Sequence, residues 1–358
     1  MPENKNQHYV PRALLKPFTM DGEDKAINVF NMARERVIQG APVKSQCSRD
    51  YFYGDDLLVE RGLQPIEGAY RRIIDGLLAD PTRVNDGEKS FLKQFWLLQH
   101  QRTEAASKRV QDMTLGVGAI VEPAVLPVYS DKKSVATAIE SLPRLLPTLT
   151  DMKVCLIRNR TLTPFITSDD PAILANRWHD VQGIRVYGLA SAGALFILPI
   201  SPELLCMCYD GGVYRVPHES GCVMTSNAQD VHAINQLQLL NSRKNVYFRD
   251  LDTWPDILSV YESIRHRRAE IGIKLQYAVS EERTSNGERF ARVDRKVAPG
   301  DRGLISFWYQ NPRPTAWPSF LQWRPDGAAF HNGSAAGFLR RAHAHGGLTP
   351  FRKYHTRP

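Results

Sequence analysis

The sequence predicts an α+β protein: a largely helical N-terminal half packed against a mostly antiparallel sheet, with a basic, aromatic-rich C-terminal extension. Three observations carry that prediction. Apolar residues recur at three- and four-residue spacing between about residues 57 and 145. Between about 150 and 250 they gather instead in short β-branched and aromatic runs separated by turn residues. The connections between those runs are too short for crossover helices, which favours antiparallel pairing. The 358 residues divide into a core domain, 1–283, and an extension, 284–358.

Taken in order, the turn-like DGED at 21–24 precedes a short strand, Ala26 to Met32, with a possible partner near Arg36 to Ile38. The segment CSRDYFYG then sets three aromatics beside the charged pair Arg49 and Asp50. From about Leu57, the residues Leu63, Ile66, Tyr70, Ile73, Ile74 and Leu77 mark one helical face, which Asp80-Pro81 stops. A longer helix starts near Asp86 with Phe91, Phe95, Leu98 and Ala105 on its apolar stripe. Its pattern runs to about Val121, before Pro123 and Pro127, and another helix covers Ser134 to Leu142. The strand candidates are 153–159, 164–168, 184–190, 194–200, 204–210 and 212–217. Helices return at Asn227 to Leu240 and, closing the core, at about 254–269, with a strand at Asn245 to Phe248 between them.

Composition removes several classes. The longest apolar stretch, Leu189 to Ile200, is 12 residues and contains a proline, whereas a spanning helix needs about 20. The first residues lack the apolar core of a secretion signal, so a cytoplasmic protein without membrane segments is expected. Five cysteines at 47, 155, 206, 208 and 222 form no disulfide framework. Cys206 and Cys208 share a strand face and read as core residues. The net charge of +8 falls entirely on residues 284–358, with 12 basic and 4 acidic side chains. Such an excess suits a nucleic acid or another anionic partner, and equally suits a solvated basic face. The glycine-rich dinucleotide and P-loop signatures, H-E-x-x-H and G-x-S-x-G are all absent.

Four groups of residues can carry chemistry. His8 can transfer protons near neutral pH, and Arg12 beside it can clamp an anion. In Leu98-Gln99-His100-Gln101-Arg102-Thr103, Gln99 and Arg102 share a helix face. An arginine on a core-facing stripe requires a carboxylate partner or an anionic ligand. Thr167-Ser168-Asp169-Asp170-Pro171 follows a strand, where a carboxylate can act as a base, hold a divalent cation such as Mg²⁺ or Mn²⁺, or pair with Arg102 or Arg12; equally, it can cap its own turn. Asn235 falls three residues after His232 on a helix, and the two can project together.

These segments resemble a family of bacterial proteins of unknown function, DUF4238. Its H-Y-V-P-x-x-x-L-x-x-F opening falls on His8, Tyr9, Val10, Pro11, Leu15 and Phe18; its Gln-x-x-Arg-Thr pattern falls on Gln99, Arg102 and Thr103. The Ser-Asp-x-Pro pattern matches Ser168, Asp169 and Pro171, and a later helical asparagine followed by a strand matches Asn235 and 246–248. The resemblance spans about residues 4–250 and implies that His8, Gln99, Arg102 and Asp169 belong together.

Two functions follow as expectations. One is a metal-assisted hydrolase of phosphoesters or nucleic acid, with His8, Arg102 and Asp169 catalytic, Asp169 as the possible metal ligand, and Arg12, Gln99 and Asn235 binding substrate. The other is a non-enzymatic binding, sensor or accessory protein that recognises an anionic ligand through the same cluster, or uses it to lock the N-terminal segment in place.

Overall fold

The computed structural model describes residues 5–120, 131–284, 287–334, 336–345 and 349–356. The chain opens with β1 (Asn6–His8) and the single-turn helix α1 (Arg12–Leu15), then the hairpin β2 (Ala26–Asn31) and β3 (Arg36–Pro42), and β4 (Ser48–Asp50). A helical stretch follows: α2 (Leu58–Ala79), α3 (Asp86–Gln101), α4 (Glu104–Ile120), α5 (Asp131–Glu140) and α6 (Leu142–Leu145). The main sheet region comprises β5 (Lys153–Asn159), β6 (Thr167–Ser168), β7 (Ile173–Ala175), α7 (Arg177–Val181), β8 (Leu195–Ser201), β9 (Leu204–Tyr209), β10 (Tyr214–Arg215) and β11 (Cys222–Thr225). Then come α8 (Ala228–Asn241), β12 (Asn245–Phe248) and α9 (Trp254–Ile264). The last part holds the strands β13 (Gly272–Thr284), β14 (Gly287–Arg292), β15 (Gly303–Gln310), β16 (Gln322–Trp323), β17 (Ala328–His331) and β18 (Arg352–His355), with a 3-10 turn at Arg341–His343.

The architecture is α+β, with helices packed against several mainly antiparallel sheets. The central sheet has the order β11-β5-β9-β8-β7, and only the β11–β5 pair in it is parallel. A second sheet, β3-β2-β12-β6, is antiparallel throughout. Both faces of the central sheet are buried, and the period of two sorts its side chains. Leu204, Cys206 and Cys208 face the helical layer of α2 and α3. Leu205, Met207 and Tyr209 face Val231, Ile234 and Leu237 of α8. All five cysteines are free and buried, the two of the C-x-C pair included. Trp96 of α3 stacks on Phe196 of β8 at 4.3 Å, and its indole N–H donates to the Ile197 carbonyl at 3.1 Å. That contact fixes helix and sheet in one register.

Strands β7 and β11 were not among the candidates and the expected strands 164–168 and 212–217 are two residues each, but three features depart most from the sequence reading. The long helix breaks at Arg102-Thr103. The Thr103 hydroxyl accepts the Ala106 amide as a fresh N-cap and donates to Asp170 at 2.8 Å, so α4 starts a new axis. Val121, Pro123 and Pro127, where that helix was expected to end, lie outside the described residues. Residues 184–190 form no strand beyond a single bridge from Val186 to Gln310. The Ile184 amide bonds locally to the His179 carbonyl and the Gly188 amide to the Ser191 hydroxyl, while the carbonyls of Tyr187, Leu189 and Ala190 accept from Asn311 and Arg340. Thirdly, residues 272–310, unassigned from the sequence, form the sheet β14-β13-β15. It docks on α4 through Leu275, which lies so close to Gly116 that a Cβ there would meet its Cδ1 at 2.4 Å.

The basic extension is an integral part of the packing. Phe320, Leu321 and Ala329 are buried in the cluster on the α8 side of the central sheet, with Trp317, Trp323 and Phe338 against it. Trp317 donates to Asp180 at 3.0 Å, and Trp323 lies 4.8 Å from the Arg177 guanidinium. Arg340 is fully buried; it pairs with Asp151 at 2.8 Å and donates to the carbonyls of Thr148, Leu189 and Ser191. Among the described residues, no helix is long and apolar enough to cross a membrane.

Candidate functional site

The N-terminal segment is the hub of the candidate residues. β1 pairs with β4, and the buried Gln7 accepts the Tyr53 amide at 2.6 Å while donating to the Gly54 carbonyl at 3.0 Å. The Gln99 amide donates to the Tyr9 carbonyl at 2.9 Å. Arg102 is fully buried and spends its guanidinium on three partners. It donates to the Tyr53 hydroxyl at 2.9 Å, the His8 carbonyl at 2.8 Å and the Glu67 carboxylate at 2.7 Å. The partner required by a buried arginine is thus Glu67 of α2, together with a main-chain carbonyl. Arg102 Nη1, Gln99 Oε1 and His8 Nε2 are buried without a hydrogen-bond partner among the described residues.

His8 lies between Arg102 and Arg12. Burial, reinforced by the charges of Arg12 and then Arg102, lowers its imidazole to about 4. It is therefore neutral at pH 7, and far from the near-neutral value that suits a proton shuttle. Arg12 lies outside the buried network, paired with Asp24 at 2.7 Å.

Asp169 and Asn235 hold other turns. The Asp169 carboxylate accepts the backbone amides of Arg243 and Lys244 at 2.8 Å and of Asn245 at 3.0 Å, tying the end of α8 to β12. Burial outweighs these three donors and raises its carboxyl to about 6. The neighbouring Asp170 pairs with Arg109 at 2.7 Å and with Thr103, rather than with Arg102 or Arg12. Asn235 accepts the Ile166 amide at 3.1 Å and donates to the Pro164 carbonyl at 2.9 Å. With His232 it lines a cavity of only about 10 Å³. The structure therefore brings His8, Gln99 and Arg102 together on one segment with Arg12 alongside, while Asp169 and Asn235 staple two separate chain reversals. Among the described residues, no group of three or more His, Cys, Asp or Glu side chains is placed to hold a metal ion.

An open site lies next to this network. A cleft of about 320 Å³ separates α1 and the turn after it from α2. Arg12, Lys16 and Arg71 supply positive charge, Asp24 and Asp75 negative charge, and Ala13, Pro17, Ile74 and Leu78 apolar surface. Among the described residues, the side chains of Lys16 and Arg71 have no ion-pair or hydrogen-bond partner. Neither was singled out from the sequence, although two signals were present. Lys16 follows Arg12 by four residues, and Arg71, Ile74, Asp75 and Leu78 share one helix face.

The profile of DUF4238, described as a protein of unknown function, matches residues 6–252. The chain belongs to the DUF4238 family. The match includes every residue of the N-terminal network and of the cleft, so both lie within the DUF4238 region, whereas β13 to β18 lie beyond it. No curated protein and no solved structure matches the chain.

The buried histidines of this DUF4238 protein make its stability pH-dependent. His8, His100 and His179 are each lowered to about 4, in every case chiefly by burial. The unfolded chain binds protons at these sites from about 6.5 downward while the folded chain does not, so acidification favours unfolding through that window. Asp169 acts in the opposite sense: raised to about 6, it takes up a proton in the folded state before the unfolded one does. Burial also raises the carboxyls of Glu60 and Asp210; the three histidines, each lowered from the ordinary 6.5 to about 4, set the sign. The urea midpoint should fall steadily between pH 6.5 and 4.5, and a His179→Phe variant should show a shallower fall. A midpoint insensitive to pH across that range would contradict the assignment.

Proposed function

We propose that this protein binds an anionic ligand as a non-enzymatic sensor or accessory component, and that the cleft between α1 and α2 is its binding site. One contrast carries this reading. Arg102, Gln99, Asp169 and Asn235 direct their side chains at the chain's own main-chain groups. Arg12 also reaches a main-chain group, the Asp24 carbonyl at 3.3 Å, but it alone of these residues borders the open cleft, with Lys16 and Arg71 beside it. The network then acts as a mount. By holding the carbonyls of His8 and Tyr9, it fixes the segment that leads into α1 and so the position of Arg12. Asp24 holds the Arg12 guanidinium from one side, at Nε and Nη2, which pre-orders a flexible side chain and reduces the entropy lost on binding.

The mixed lining selects the ligand. An apolar floor beneath cations suits a small organic anion with a short hydrocarbon body and a carboxylate or phosphate end. Calorimetric titration of the full chain with octyl phosphate should show saturable binding, with inorganic phosphate weaker and octyltrimethylammonium silent. A Lys16→Glu/Arg71→Glu variant should lose at least tenfold in affinity. Equal binding in wild type and variant would reject the cleft. Turnover of a phosphoester that disappears in His8→Ala would reject the non-enzymatic reading in favour of hydrolysis.

A further inference from the structure

A second cationic centre lies away from the cleft, where β4, the start of α4 and the turn after α8 meet. Arg49 Nη2, Arg243 Nη1 and Lys244 Nζ approach the same carboxylate oxygen, Glu104 Oε1, at 3.0, 3.0 and 3.2 Å. The three cations are therefore near enough to one another to share a single tetrahedral anion. Glu104 is nearly buried, its side chain 10% exposed, whereas those of Arg49, Arg243 and Lys244 are 45, 32 and 46% exposed. The carboxylate thus lies beneath and the cations face solvent. Local charge does not balance: Asp169 is committed to the backbone amides of 243–245, Asp170 pairs with Arg109, and Asp50 pairs with Lys5. Arg268 adds a further positive charge behind the turn, donating to the carbonyls of Ser242 and Arg243.

The cluster is also held in place before any ligand arrives. Asp169 pins the backbone of Arg243 and Lys244 from one side and Arg268 pins it from the other. Arg49 is fixed by the β1–β4 ladder, where it pairs with Gln7. A guanidinium has five N–H donors and an ammonium three, so one contact to Glu104 leaves most of the donors of Arg243 for an anion, and Lys244, which reaches both Glu104 oxygens, keeps a third donor. Such preorganised, convergent donors recognise phosphate oxygens.

We propose that Arg49, Arg243 and Lys244 form a site for a phosphate dianion, either free or as a terminal phosphomonoester, with Glu104 as the built-in counter-charge that limits its affinity. The site is independent of the α1–α2 cleft and shares no residue with it.

The test measures binding of inorganic phosphate, and of a short oligonucleotide with and without a 5′-phosphate, to the full chain at low salt. Lys244→Ala, an exposed truncation that leaves the backbone contacts of the turn intact, should weaken phosphate binding about tenfold, and Arg243→Ala similarly. Glu104→Gln retains an oxygen to orient the cations but removes the opposing charge, so it should tighten binding by about tenfold or more. A purely structural ion-pair hub predicts the reverse, with Glu104→Gln weakening or abolishing binding, and that result would overturn the proposal. Unchanged phosphate binding in Lys244→Ala and Arg243→Ala would overturn it as well. Preference for the 5′-phosphorylated oligonucleotide over inorganic phosphate identifies a monoester ligand, and the opposite order identifies free phosphate. Equal binding of the two oligonucleotides, both tighter than inorganic phosphate, would show recognition of the diester backbone and reject the dianion.

Discussion

Replacing Arg102 with Ala is expected to destabilise the protein by about 3–5 kcal/mol, the range for breaking a buried ion pair from one side. The loss is large because one guanidinium serves three acceptors on separate elements: Tyr53 after β4, Glu67 on α2 and the His8 carbonyl on β1. Its removal leaves the phenol and the carbonyl without their donor and the carboxylate without its cation. Arg102→Lys should recover little, since a single ammonium lacks the planar fork that spans these positions. The check is a urea titration alongside limited proteolysis, with cleavage in the variant starting between residues 5 and 20. A variant within 1 kcal/mol of wild type and equally resistant to protease would show that the N-terminal segment is held by other means.

Truncation after residue 314 should have a still larger effect. It removes Phe320, Leu321 and Ala329 from the α8 side of the central sheet, together with Trp317, Trp323 and Phe338 packed against them. Burial of each large apolar side chain contributes about 1.5–3 kcal/mol, and a domain's whole stability is about 5–15 kcal/mol. Loss of Arg340 also leaves Asp151 and three main-chain carbonyls without their donor. The shortened chain should lose its cooperative unfolding transition and its near-ultraviolet circular dichroism, and should bind a hydrophobic dye. A cooperative transition retained by the 1–314 chain would show that the core closes without residues 315–358. Although all of the net positive charge lies in the extension, Trp317 and Trp323 are engaged with Asp180 and Arg177 in the folded chain.

The elements that were legible in the sequence are those whose signal is local. The stripe from Leu63 to Leu77 and the stop at Asp80-Pro81 define α2, and the β-branched runs define β5, β8 and β9. The break at Arg102-Thr103 was not legible, because what ends the helix is a hydroxyl shared with Asp170, 67 positions along the chain. The same holds for the candidate residues. The sequence marks Asp169 as a strand-end carboxylate, but its three donors lie 74 to 76 residues later. It marks Arg102 as a cation needing a partner, and that partner is Glu67, 35 residues earlier, on a helix face that otherwise reads as solvent-facing. Local pattern identifies a polar group that must be satisfied, whereas only the tertiary fold determines whether the chain or a ligand satisfies it. For the cleft, the missing information was the approach of α1 to α2, which no periodicity encodes.

Arg340 ties the last part of the chain to segments made far earlier, at 148–151 and 189–191. During translation the central sheet therefore emerges with one greasy face half-covered, and it stays so until residues 317–340 have been added. The nascent polypeptide passes through an interval in which that face is sticky and vulnerable. Products that stall or terminate before residue 340 should accordingly be captured by chaperones or degraded.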